Sequence, residues 1–202
     1  MQIIEADETR MIDLPGVGPC PRPVDIDQSL TGFERLKSLR IYRFRAGVTI
    51  AGDSEGDEVY IVPFGGTVQM QITGLAPLTA TLSAGSESRA LYMAPDHSYR
   101  LTPETETLVA YARASAVGRI ASHVVNRPGD TLAEALAFVI AELSDGDTLA
   151  NHPAKDRLIH VVSGAIVVAG RQVTATQTAA LAPGENVLVQ ADGPTTLLMV
   201  SA

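Results

Sequence analysis

Residues Gly47–Gly66 read GVTIAGDSEGDEVYIVPFGG. Two features of this stretch decide the fold. Glycines stand at both ends, Gly47 and Gly65–Gly66, where turns need backbone freedom. Between them lies the apolar run Glu58–Val62, rich in β-formers and closed by Pro63, which is a strand signature. The acidic residues Asp53, Glu55, Asp57 and Glu58 crowd the turn that leads into that strand. Side chains alternate along a strand, so Tyr60 and Val62 share whichever face Glu58 takes.

The pattern extends outward. Leu39–Phe44, Thr67–Ile72, Thr79–Leu82, Ala90–Met93 and Leu108–Ala112 read as further strands, punctuated by Gly74, Pro77, Gly85, Pro95 and Pro103. The second half repeats the first. A shift of 99 positions lays Phe33–Val68 on Leu132–Val167 without a gap. Identities fall at Ile41/Ile140, Gly47/Gly146, Thr49/Thr148, Ala51/Ala150, Asp57/Asp156, Val62/Val161, Gly65/Gly164 and Val68/Val167. Farther on the shift is 88, aligning Ala94–Pro95 with Ala182–Pro183. The first copy therefore carries a longer loop around Gly74–Gly85. Two copies of one β-unit predict an all-β chain of two tandem jelly-roll barrels with few helices. The expected division is an irregular, proline- and glycine-rich arm over residues 1–30, barrel 1 over 31–116 and barrel 2 over 117–202. The segment Thr131–Leu143 is ambiguous; it reads as a helical turn at Leu132–Leu136 followed by a strand at Ala137–Leu143.

Composition narrows the function. The 202-residue chain is 46% hydrophobic, enough for a substantial core, with a formal net charge of −8. An acidic chain with 4% aromatic residues and no Trp lacks the basic and stacking surfaces that nucleic acids require. No run approaches the roughly 18 apolar residues of a membrane span, and the acidic N-terminus does not read as a signal peptide, so the expected location is the cytoplasm. The single cysteine, Cys20, excludes an intrachain disulfide and a cysteine zinc cluster, and reads as an inert thiol. No nucleophile elbow, P-loop or dinucleotide fingerprint is present; Gly16-Val17-Gly18 lacks the strand–helix context.

The skeleton Gly47, Asp53, Glu55, Glu58, Gly65 resembles the first signature of the cupin superfamily, in which two histidines and a glutamate line a small barrel. The stretch YMAPDHSYRL resembles the second signature, with Pro95 at the proline position, His97 at the glycine position and Arg100 at the fourth-ligand position. The resemblance implies a tandem two-cupin chain, distantly similar to bicupins of the deoxyglucuronate isomerase type. It implies the ligand set Asp53, Glu55, Glu58 and Arg100 in barrel 1. A guanidinium has no lone pair to give a metal, so that set departs from the usual one. Glu58 and Arg100 are expected to pair inside barrel 1. They would either close a relic site or bind a small polar or anionic metabolite together with Tyr60, Asp53 and Glu55. Catalysis as a sugar or sugar-acid isomerase or lyase, with Glu58 as base and Arg100 as clamp, is the alternative. A hard cation on Asp53, Glu55 and Glu58 is a further one, and Glu55 with Glu58 could form a glycosidase-like carboxylate pair. Otherwise no cofactor or metal is expected. In barrel 2 the corresponding positions are His152, Ala154, Arg157 and Leu188, which read as a structural or dimerising barrel. His97 is expected on a surface turn, His160 in packing or an interface, and His123 without a partner. An apolar-rich barrel 2 without an evident site and the N-terminal arm lead to the expectation of a homodimer or larger oligomer, and a non-catalytic structural or regulatory dimer is the third functional reading.

Overall fold

The computed structural model describes residues 1–74, 76–85, 89–118, 120–125, 136–149 and 155–202. The first residues form β1 (Gln2–Ile4), β2 (Met11–Leu14), β3 (Gly18–Pro21), β4 (Val24–Asp27) and a short helix α1 (Gln28–Thr31). Then come β5 (Leu36–Phe44), β6 (Ile50–Asp53), β7 (Asp57–Pro63), β8 (Thr67–Thr73), β9 (Leu78–Ser83), β10 (Ala90–Met93), β11 (Ser98–Pro103), β12 (Thr107–Ser115) and β13 (His123–Val125). The second half holds β14 (Ala137–Leu143), β15 (Thr148–Leu149), β16 (Arg157–Ser163), β17 (Ala165–Val168), β18 (Arg171–Thr174), β19 (Thr178–Leu181), β20 (Val189–Ala191) and β21 (Thr195–Ser201). The fold is all-β; α1 is the only helix among the described residues and none is long enough to cross a membrane.

The internal repeat appears directly in the strand order. The first half builds a sheet β13-β10-β7-β12-β5-β4 and a sheet β6-β11-β8-β9. The second half builds β1-β19-β16-β21-β14 and β15-β20-β17-β18. The central orders β10-β7-β12-β5 and β19-β16-β21-β14 correspond strand for strand, as do the two four-stranded sheets.

Apolar side chains divide into three layers between four sheets. Val59, Ile61, Val68, Met70, Ile72, Leu91, Leu101 and Val109 fill the first half between its two sheets. Ile159, Val161, Ile166, Val168, Leu181 and Leu197 fill the second half in the same way. The middle layer joins the halves: Tyr60, Val62, Tyr92, Ala110 and Ala112 from the six-stranded sheet meet Phe138, Leu158, Leu198 and Val200 from the five-stranded sheet. Strand β7 is consequently buried at every position. Asp156 pins the same seam, its Oδ2 accepting from the backbone N–H of Arg35 and Leu36 at 2.9 and 3.2 Å.

The arm differs from its expectation. Residues 1–30 are four strands and part of a helix, not an irregular segment. β2 and β3 pair as a hairpin across Gly16 and Gly18, both with positive φ. β4 joins β5, and β1 adds an edge strand to the second half by pairing with β19. The breaker residues mark turns between short strands. β13, expected within the second unit, pairs with β10 of the first. An apolar face of the second half and the first strand of the arm thus both make contacts within the chain. The strand over 137–143 is present as β14; the helical turn expected before it lies outside the described residues except for buried Leu136.

Candidate functional site

The expected site residues do not converge. Glu58 lies on β7 with Tyr60 and Val62, as alternation requires, but their shared face is the middle layer between the halves. Val59 and Ile61 take the interior of the first half. Arg100 lies on β11 opposite Ala51 and Gln71, on the solvent face of the four-stranded sheet. Two sheets and a layer of side chains, roughly 10 Å sheet to sheet, separate Arg100 from Glu58. Their ion pair is not formed, and the reading of both as one cavity's lining is corrected. The reason is register: a slip of one residue exchanges the two faces of a strand. Arg100 is exposed because its neighbours Tyr99 and Leu101 point inward.

The acidic turn is also resolved. Glu55 has a positive φ of 48 and its Oε2 accepts from Arg113 Nη1 at 3.0 Å. Arg113 Nη2 donates to the Asp53 backbone oxygen at 2.7 Å, and Asp57 lies 3.5 Å from Arg113 Nη1 and 2.5 Å from Lys37 Nζ. The carboxylates of Glu55 and Asp57 thus surround a guanidinium, while Glu58 faces the other way. Neither the hard-cation set nor a Glu55–Glu58 carboxylate pair is assembled. His97, expected on a surface turn, is buried; its ring packs on Gly74, and Nδ1 donates to the Pro95 oxygen at 2.7 Å. His160 does lie in packing, with Nδ1 3.0 Å from Thr178 Oγ1 and its ring 6.5 Å from Phe64.

The end of the first half instead holds residues the sequence reading passed over. Inward positions Gly52 and Tyr99 are register partners on β6 and β11. A Cβ on Gly52 would stand 2.8 Å from the Tyr99 ring, so glycine is what lets the ring lie flat there. Tyr111 on β12 packs 5.8 Å from Tyr99 and edge-on to Tyr42 at 5.4 Å. A cavity of about 240 Å³ opens beside them, lined by Tyr42, Gly52, Asp53, Tyr99, Tyr111 and Arg113, with Leu14 of the β2–β3 hairpin over it. Burial pushes the Tyr99 phenol up to about 12 and holds Tyr111 well above the ordinary tyrosine range. Both stay protonated at neutral pH and can donate hydrogen bonds. The signal was present in SYRLTP: Tyr99, Leu101 and Pro103 are the apolar alternates, and Arg100 is not.

In the second half Arg157 points into the interior with Ile159 and Val161 and is fully buried. Its Nη2 donates to the backbone oxygens of Ala182 and Glu185, and Nε donates to that of Lys155. His152 and Ala154 lie outside the described residues; Leu188 is exposed. Among the described residues no three His, Cys, Asp or Glu stand where they could hold a metal ion. At the end of the first half the available polar side chains are phenols, the single Asp53 carboxylate and a guanidinium engaged by Glu55 and Asp57, with no histidine among them. That donor set does not fit the transition metal of the histidine–glutamate signature.

No family model matches the chain, and no curated protein matches it in sequence. Solved structures do. An IolB-like protein from Salmonella typhimurium LT2 superposes with a TM-score of 0.72 at 12% identity, covering 99% of this chain and 92% of that one. A bacterial pirin from Escherichia coli, in complex with nickel(II), gives 0.71 at 13% identity, with 99% and 98% covered. A quercetin 2,3-dioxygenase from Acinetobacter baumannii gives 0.74 at 13% identity, with 100% and 85% covered. These are cupin-fold proteins, and the chain shares that fold.

Proposed function

We propose that this chain is a two-barrel cupin-fold protein that binds a small polar organic molecule at the tyrosine-lined end of its first barrel, without a transition metal. The carrying observation is the cavity of about 240 Å³ among Tyr42, Tyr99, Tyr111 and Arg113. An apolar protein cavity of ~150 Å³ accepts benzene, so this one has room for a substituted ring. Its walls suit a ligand with one flat apolar face and a hydroxyl or carboxylate. The buried phenols supply O–H donors, and Arg113 supplies a cation at the rim. The superposing proteins include ones named for nickel binding and for a dioxygenase. The donor set argues against carrying those chemistries over, because fold alone does not carry function. An isomerase or lyase mechanism resting on Glu58 and Arg100 loses its footing, since the two do not meet.

The chain has no Trp, and three of its five tyrosines line the cavity, so tyrosine fluorescence reports occupancy directly. A library of small hydroxylated and carboxylated rings, read by tyrosine emission and melting temperature, should yield saturable binders. Tyr111→Phe should weaken them several-fold with the fold intact. A library that leaves both signals unchanged, or binders indifferent to Tyr111→Phe and Arg113→Gln, would rule the site out.

A further inference from the structure

Of the described strands, β2 and β3 alone pair with nothing but each other. Among the described residues no backbone group of Met11–Pro21 hydrogen-bonds outside the hairpin. The sequence GPCP supplies a reason. Proline has no N–H, so Gly18 and Cys20 hold the only donors of β3, and alternation puts both on one edge. That edge faces β2, through the partners Leu14 and Ile12. The opposite edge has no donor to offer a neighbouring strand.

Side chains hold the hairpin down instead. Ile12, Leu14 and Val17 lie half-buried against the core of the first half, and Cys20 is buried in it, its Sγ 3.7 Å from the Arg43 oxygen. Leu14 lines the tyrosine-lined cavity. Met11 and Asp13 point away and are exposed. The stem is built differently. The Asp7 N–H donates to the Pro23 oxygen at 2.8 Å, and the Arg22 N–H to the Arg10 oxygen at 2.9 Å. Asp25, on β4 of the six-stranded sheet, takes Arg10 and Arg22 at 2.7 Å and Arg40 at 3.2 Å. Arg22 also lies over the Tyr42 ring of the cavity wall, 5.7 Å from its centroid. A stem fixed by hydrogen bonds and ion pairs thus carries a blade held by apolar side chains. Lifting the blade breaks no hydrogen bond of the barrel sheets and exposes little surface, whereas unfolding the barrel does both.

We propose that residues 11–21 form a hinged lid over the tyrosine-lined cavity, turning at 10–11 and 21–22, which opens to admit a ligand and closes Leu14 onto it. The lid's purpose rests on the binding role proposed above. Its motion is read without any ligand, so the lid can fail while the cavity binds.

Cys20, the chain's one thiol, sits beneath the lid and reports its opening. Burial pushes that thiol's pKa up, so the closed form is both shielded and protonated. The test follows the reaction of the full chain with excess Ellman's reagent over a series of low urea concentrations. A lid that opens alone gives a labelling rate nearly flat in urea, because the slope tracks the surface exposed. Leu14→Ala, which loosens the blade, should raise that rate several-fold. Val168→Ala, in the core of the second half, should lower the urea midpoint of unfolding and leave the labelling rate unchanged. 4-Hydroxybenzoate, a ring with a hydroxyl and a carboxylate, should slow labelling several-fold at concentrations where tyrosine emission shows saturation. A rate that climbs from zero urea with the slope of global unfolding overturns the lid. So does a Val168→Ala variant that labels as fast as Leu14→Ala, or a rate that saturating 4-hydroxybenzoate leaves unchanged. Should 4-hydroxybenzoate not bind, the urea series and the two variants decide the lid by themselves.

Discussion

At the scale of single residues, one position of register separates the two readings of this chain's chemistry. Arg100 and Tyr99 are neighbours, yet one meets solvent and the other the interior. The consequence is measurable. Arg100→Ala should change stability by no more than ~0.5 kcal/mol, the usual range for an exposed residue without special contacts. Gly52→Ala should destabilise by roughly 1–3 kcal/mol, because its Cβ would stand 2.8 Å from the Tyr99 ring and force that ring into the cavity. Denaturant melts of both variants check this. A costly Arg100→Ala with a silent Gly52→Ala would restore the discarded register. For β11 the facing was legible in the sequence, since polar and apolar residues alternate through SYRLTP. For β7 it was not: DEVYIVP is buried on both faces, so nothing in its polarity tells the interior of the first unit from the layer between units.

At the scale of elements, turn glycines and apolar runs located the strands well, and the repeat located their order. β10 (Ala90–Met93) falls where the sequence places it, and β5, β7 and β12 extend the expected runs by a few residues. What the sequence hid was pairing over long range. That β1 would reach β19, or β13 return to β10, depends on edges available only after both sheets exist. The seam between β5 and β16 carries the clearest element-scale prediction. Asp156 repeats Asp57 by sequence, but their work differs: Asp57 takes cations at a rim, whereas Asp156 takes two backbone N–H groups. Asp156→Ala leaves both donors buried and unpaired and should cost roughly 2–4 kcal/mol, while Asp156→Asn, which keeps an acceptor, should cost less. Equal losses for the two variants would show that the charge, not the acceptor, matters.

At the scale of the whole molecule, the middle layer makes one cooperative body of two repeated halves. Neither half owns that core: the Tyr60 and Phe138 rings meet across it, tilted, with centroids 4.8 Å apart. Separation would expose an apolar face on each side, so heat or urea should give a single transition by every probe. His160 lies at this layer's margin, and acid should act through it. Burial lowers its pKa from the ordinary 6.5 to about 4. The groups around it offer little to a proton: Phe64, Thr176 and Thr178 are neutral, and the nearby cavity wall brings Arg43 in ion pair with Glu8. Between pH 6.5 and 4 the unfolded chain therefore binds the proton and the folded chain does not. The stability tied to neutral His160 is complete above about pH 6.5 and declines as pH falls toward 4. With 1.36 kcal/mol per pKa unit, the full loss is roughly 3 kcal/mol. His160→Gln can still bond to Thr178 but cannot titrate, so its unfolding free energy should fall less than the parent's from pH 7 to pH 4.5. Carboxylates that titrate in the same range cancel in that difference. Parallel pH profiles would mean that His160 is already charged in the folded protein, or that the layer opens before it titrates.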